Sequence, residues 1–182
     1  MAGERPRINN SKRDVIIDIE AYSENCCSKN ARQIVLHSHK FNSDIWADKH
    51  YNIRVNQGDD NGFREGIETD VVLQLINDTF SHVINYSLKF GKIINFPPFA
   101  PPQSTRIVLQ NHVDNDDNFL NVAVEYHFLD VDTYEITVWT AMKEKGFHIR
   151  EGQFIVQLHH DSTILFKFIK GSFSQLHSFD RK

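Results

Sequence analysis

His50 and Arg54, in the segment HYNIR, stand four residues apart, and on a helix that spacing puts both on one face. An imidazole takes or gives a proton near neutral pH, and a guanidinium fork neutralises charge that builds on phosphorus. Arg64 opens the segment Arg64-Glu65-Gly66-Ile67 and supplies a second guanidinium just beyond the turn-rich stretch QGDDNG. One His and two Arg converging at the mouth of a sheet suit phosphodiester chemistry. A plainer arrangement uses the same residues: His50 and Arg54 line a solvated helix face, and Arg64 pairs with Glu68.

Other chemistry is thinly represented. The chain has no G-x-x-x-x-G-K or G-x-G-x-x-G phosphate loop, no G-x-S-x-G elbow, no H-E-x-x-H and no C-x-x-C. Ten His are available, and the pairs His37/His39 and His159/His160 would ligate a metal only if they met each other or a carboxylate in space. His160-Asp161-Ser162 is one H-x-S, where a two-histidine phosphoesterase needs two copies. The expectation is therefore no metal and no cofactor.

The elements that must position these groups are two kinds of pattern. Asp44 to Val55 carries Ile45, Trp46, Lys49 and Ile53 near helical spacing, with Ser43 as a cap, and predicts a helix. Thr69 to Phe90 carries Val72, Leu75, Ile76, Phe80, Val83, Ile84 and Leu88 at three- and four-residue intervals and predicts a long amphipathic helix, with Gly91 as its stop. The prolines at 97, 98, 101 and 102 predict a rigid, extended connector. After it, Arg106 to His112, Leu120 to Phe128, Tyr134 to Met142, Gln153 to His159 and Thr163 to Ile169 predict five strands. Their short connections favour antiparallel pairing. The apolar runs Asp14 to Glu20 and Arg32 to His37 are too short to assign by period. The fold class expected is α+β, with N-terminal helices packed on a curled antiparallel sheet of about five strands. Residues 1–13 are expected to be a flexible segment, and 14–182 a single domain.

Composition limits the partners. A chain of 182 residues with 40% hydrophobic and 24% charged residues is an ordinary globular protein. Its net charge of −4 argues against extended nucleic-acid coating and leaves room for a local basic patch. The adjacent Cys26 and Cys27 cannot build a disulfide framework. No apolar run marks a leader or reaches the ~20 residues of a membrane span, so a cytoplasmic protein is expected.

The order H-x-x-x-R, R-x-G-I, amphipathic helix, antiparallel strands resembles the metal-independent endoribonuclease superfamily of barnase, EndoU, the colicin transfer-RNA nucleases and RelE toxins. REGIETDVVLQLI is similar to the matching stretch of the RegB messenger endoribonuclease, and YEITVWTAMKEKGF resembles the superfamily's strand ending in a hydroxyl residue. The resemblance implies His50 as general base or acid, Arg54 as phosphate clamp and Arg64 as a second clamp. It implies Thr140 as a hydroxyl contact and Lys143 as a cationic stabiliser. The implied reaction is attack of an RNA 2′-hydroxyl on the adjacent phosphate, with RNA as substrate and a cognate antitoxin or immunity protein as partner. Asn77 stands where the RegB-like form carries a helical His. A non-enzymatic interaction module such as an immunity or antitoxin protein, with Trp46, Trp139 and Phe147 offered to a partner, is the alternative.

Overall fold

The computed structural model describes residues 22, 24–38, 41–57, 66–94, 104–112, 118–130, 133–160 and 162–180. Among them, eight strands form one sheet: β1 (Ala31–Ser38), β2 (Phe41–Asp48), β3 (Ser104–His112), β4 (Phe119–Asp130), β5 (Thr133–Lys143), β6 (Phe154–His159), β7 (Ser162–Ile169) and β8 (Ser172–Asp180). The two helices are α1 (Lys49–Gln57) and α2 (Thr69–Ile94). The spatial order is β1-β2-β5-β4-β3-β6-β7-β8.

This corrects the expected architecture of N-terminal helices on a five-strand antiparallel sheet. Two strands precede the helices and a further one closes the chain. The pairs β2–β5 and β3–β6 are parallel, whereas the other neighbours are antiparallel. Parallel strands cannot be joined by a tight turn. The helices are therefore part of the crossover that carries the chain from β2 to β3, and residues 144–153 are the crossover from β5 to β6.

Asp44 to Val55 was expected to be one helix, and it is instead split. Residues through Asp48 belong to β2, where Ile45 and Ala47 are buried two apart in the period of a strand. Ile45 pairs with Ile136 and Ala47 with Val138, so a strand 91 residues later decides the local structure. Ser43 is a buried strand residue, and Asp48 takes over the capping role. The helix at Thr69 forms as expected and runs through Gly91 to Ile94. Val72, Leu75, Ile76, Phe80, Val83 and Tyr86 make its buried stripe, whereas Leu88 is exposed.

One face of the sheet carries the main core. The α2 stripe packs with Ile45, Ile107, Leu109, Val122, Val124, Ile136, Val138 and Val156. A polar bond fixes its register on β7: Tyr86 donates its hydroxyl proton to the Thr163 carbonyl at 2.9 Å, and His82 Nδ1 lies 2.8 Å from Thr163 Oγ1. The opposite face has separate covers. Ile149 of the β5–β6 crossover packs on Val108 and Ile155, and residues 25–28 bond to the start of β5. The β7–β8 turn is two residues, Lys170 and Gly171, both at positive φ (51° and 75°), the geometry whose twist suits a tight hairpin.

Gly66 shows how closely the helices are joined. A Cβ there would lie 2.6 Å from the Arg54 carbonyl oxygen and 2.8 Å from Val55 backbone atoms. Ile67 follows, buried, with its carbonyl accepting the Tyr51 hydroxyl at 3.2 Å. The Gly66-Ile67 part of the R-x-G-I motif thus clips the entry of α2 onto α1. Gly66→Ala is expected to lower unfolding stability by about 1–3 kcal/mol, the usual cost of overpacking. Urea denaturation measures it, and an unchanged midpoint would mean that α1 does not press on Gly66.

The apolar run Asp14 to Glu20, the segment 1–13 and most of the proline connector lie outside the described residues.

Candidate functional site

The site begins where β2 ends. Asp48 is nearly buried and uses both carboxylate oxygens: Oδ1 accepts the His50 backbone N–H at 2.9 Å, and Oδ2 accepts the Ser28 hydroxyl at 2.5 Å. The first bond is an N-cap, which satisfies a helix-end donor that would otherwise lack a partner. Asn52 reaches back to the carbonyls of Ala47 and Asp48, and its own oxygen accepts from Arg32 Nη2 at 3.1 Å. The first turn of α1 is therefore held to β1 and β2, and this fixes the direction of its outer face.

Arg54 projects from the last turn of α1 and donates from Nη1 to Thr140 Oγ1 at 2.8 Å. The two residues are 86 apart in the chain. Thr140 can meet α1 because β2 covers β5 only as far as Val138. Beyond that point the edge of β5 faces the helix instead of a strand. A β-bulge marks the same place: Val124 pairs with Val138 and Ala123 with Thr140, which leaves Trp139 as the extra residue.

The remaining expected residues are placed unequally. His50 is exposed in the first turn of α1, one helical repeat from Arg54. Lys143 is exposed near the end of β5, three residues past Thr140, so strand alternation turns it toward the other face. Arg64 lies outside the described residues. Among the described residues, His37 is in β1 and His159 in β6, with four strands between them, about 24 Å by strand spacing. His159 and His160 are exposed at the β6–β7 turn, while His39 and Asp161 lie outside the described residues. Among the described residues, no group of three or more His, Cys, Asp or Glu could hold a metal ion, and no helix is long and apolar enough to cross a membrane.

Two polar groupings were not foreseen. Arg106, Glu125 and Trp139 meet on the central strands: the Arg106 guanidinium lies 4.0 Å from the Trp139 ring centroid, and Glu125 Oε2 accepts from both Arg106 Nη2 (3.1 Å) and Trp139 Nε1 (2.8 Å). Beside them, Asn25 donates to Thr137 Oγ1 at 2.7 Å, and the buried Glu135 carboxylate accepts the Cys26 N–H at 2.7 Å. No local motif announces either group: antiparallel register gathers the first from β3, β4 and β5, and the second joins the segment before β1 to β5.

Cys26 is exposed and Cys27 half-buried; both are thiols. Burial raises the Cys27 thiol from its ordinary 9.0 to about 12, and the charges of Glu125 and Glu135 push the same way. The neutral thiol is thus favoured in the folded chain. Stability should fall as pH rises from about 9 toward 12, where an unfolded Cys27 ionises and the folded one does not. In native protein at pH 8–9, a thiol reagent is expected to modify Cys26 rapidly and Cys27 only after denaturant is added. Equal rates for both would contradict this placement of Cys27.

No protein-family model, no curated protein and no solved structure matches this chain.

Proposed function

We propose that the protein is a metal-independent endoribonuclease whose site is the outer face of α1 against the exposed edge of β5. One observation carries the reading: the Arg54–Thr140 hydrogen bond joins two residues from opposite halves of the chain to which the family resemblance gives roles in one site. The α1 sequence supports it, with Lys49, His50 and Arg54 and no acidic residue in nine positions. Arg32 adds a further cation at the base of this helix.

In this reading an RNA phosphate docks on the Arg54 guanidinium, which Thr140 holds in one orientation. His50 takes the proton of the adjacent 2′-hydroxyl as its oxygen attacks phosphorus. The bond to the 5′-oxygen breaks, and that oxygen leaves with a proton from solvent. The products are a 2′,3′-cyclic phosphate and a 5′-hydroxyl. Arg54 acts by stabilising charge on the phosphoryl oxygens as it builds. Arg64 and Lys143 retain only supporting parts, as a second clamp and as a cation near the strand end. A chain acting in this way as a toxin needs a cognate antitoxin or immunity protein to cover the α1 face.

The test is incubation of purified protein with structured and unstructured RNA in EDTA, beside His50→Ala and Arg54→Ala. Cleavage is expected in EDTA, with cyclic phosphate at the new ends. Each variant should lose about 10²–10⁴-fold in rate, the range for removing a general base or a charge-stabilising group. Strong inhibition by EDTA would sink the assignment. Intact RNA in every sample would turn the reading to a non-enzymatic interaction module.

A further inference from the structure

We propose that the Arg106–Trp139 stack is a platform for an unpaired RNA base beside the Arg54–Thr140 pair; the inference rests on the endoribonuclease reading. Trp139 and Thr140 are the consecutive residues of the β5 bulge that oppose the single Ala123 of β4. A group bound at one is therefore a neighbour of a group bound at the other.

The geometry is that of a prepared surface. At 4.0 Å from the Trp139 centroid, the Arg106 guanidinium is in contact with the ring face. A single carboxylate oxygen, Glu125 Oε2, fixes both partners. The side chain of Arg106 is 36% exposed and that of Glu125 14%, so the cation is presented outward and the acid lies beneath it. Neighbouring parts of this face are covered. Two residues along β3, Val108 is roofed by Ile149, and Thr137, which pairs with Glu125, is bonded by Asn25.

A flat guanidinium held on an aromatic ring offers its other side to a planar, electron-rich group. Nucleobases of single-stranded RNA are such groups, and they stack on aromatic and Arg planes alike with little sequence preference. In a duplex the base faces are occupied by their neighbours. The platform thus predicts a preference for single strands. It also lets an acidic protein hold RNA, because stacking supplies affinity that phosphate contacts alone would not.

The experiment uses the full chain and a fluorescently labelled single-stranded RNA with 2′-O-methyl groups throughout, which cannot undergo the cleavage. Binding is followed by anisotropy for wild type, Trp139→Ala, Trp139→Phe and Arg54→Ala, each checked for folding by urea denaturation. Trp139→Ala should weaken binding at least about fivefold, whereas Trp139→Phe, which keeps a ring, should stay within about twofold of wild type. Should Trp139→Ala fail to fold, Trp46→Phe leaves Trp139 as the single indole, and its fluorescence should be quenched by the RNA. Trp46 suits that change because its indole N–H is buried without a hydrogen-bond partner among the described residues. Wild-type affinity in Trp139→Ala beside weakened Arg54→Ala would overturn the platform and leave the endoribonuclease reading standing. Unquenched Trp139 fluorescence with saturating RNA would do the same. Equal affinity for duplex and single strand would also overturn the platform. If wild type neither binds this RNA nor cleaves natural RNA, both readings fall together.

Discussion

The parallel pairing of β2 on β5 is the constraint on which the candidate site depends. Its register, from Asn42 opposite Thr133 to Ala47 opposite Val138, fixes where the chain must leave the sheet. Asp48 then starts α1 with one carboxylate oxygen and holds Ser28 with the other. Arg54 lies six residues on, about 9 Å along a helix. Thr140 lies two residues past Val138, about 7 Å along a strand. The two lengths nearly match, which is why the guanidinium meets the hydroxyl. A slip of one residue in the β2–β5 register would turn Ile45 and Ala47 out of the core, so core packing enforces the same register that the site requires.

The bulge in β5 divides the consequences of that pairing between two neighbouring residues. Thr140 serves the helix edge and Trp139 serves the face that α2 does not cover. On that face several polar groups are bonded to one another. Glu135, 2% exposed, accepts a backbone N–H, and Asn25 spends its side chain on Thr137, Cys27 and Ser28. A buried carboxylate is costly unless it is bonded in this way. Burial is the main reason the neighbouring Cys27 thiol resists ionisation, and the charges of Glu125 and Glu135 add to it.

Much of this was legible in the sequence, in proportion to how local each signal was. The α2 stripe repeats over about four turns and needs no partner to be recognised. The strands from β3 to β7 announce themselves by alternation and by turn residues. β2 was misread because Ile45, Trp46 and Ile53 fit a helical period by accident of spacing, and only Ile136 and Val138 settle the matter. β8 escaped because Ser172 to Asp180 is largely polar, and its one strong cue is the Lys170-Gly171 turn. At the site, Arg54 stands out by its spacing from His50, and Thr140 only through a family resemblance. Their contact then depended on a parallel pairing that the expected antiparallel sheet did not contain. Gly66 was noticed as a motif letter, and its physical part is the close approach of two helices. Arg106, Glu125 and Trp139 come from three strands and leave no mark in any short window.

The overall charge of −4 argues against extended nucleic-acid coating, but a sum over the chain says little about any one face. Three carboxylates near the site are turned inward, whereas Glu68 and Asp70 at the entry of α2 are exposed. Asp48 is 8% exposed and bound at both oxygens, Glu135 is more deeply buried, and the Glu125 side chain is covered by the Arg106–Trp139 stack. Lys49 and His50 are exposed, and Arg54 and Arg106 are partly so. Acids turned inward act as caps and struts, while the cations they orient face the solvent. A ligand meets the field of the surface at close range, since salt screens charges beyond about 8 Å. An acidic chain can in this way offer a locally cationic face, provided that its carboxylates are consumed by the fold.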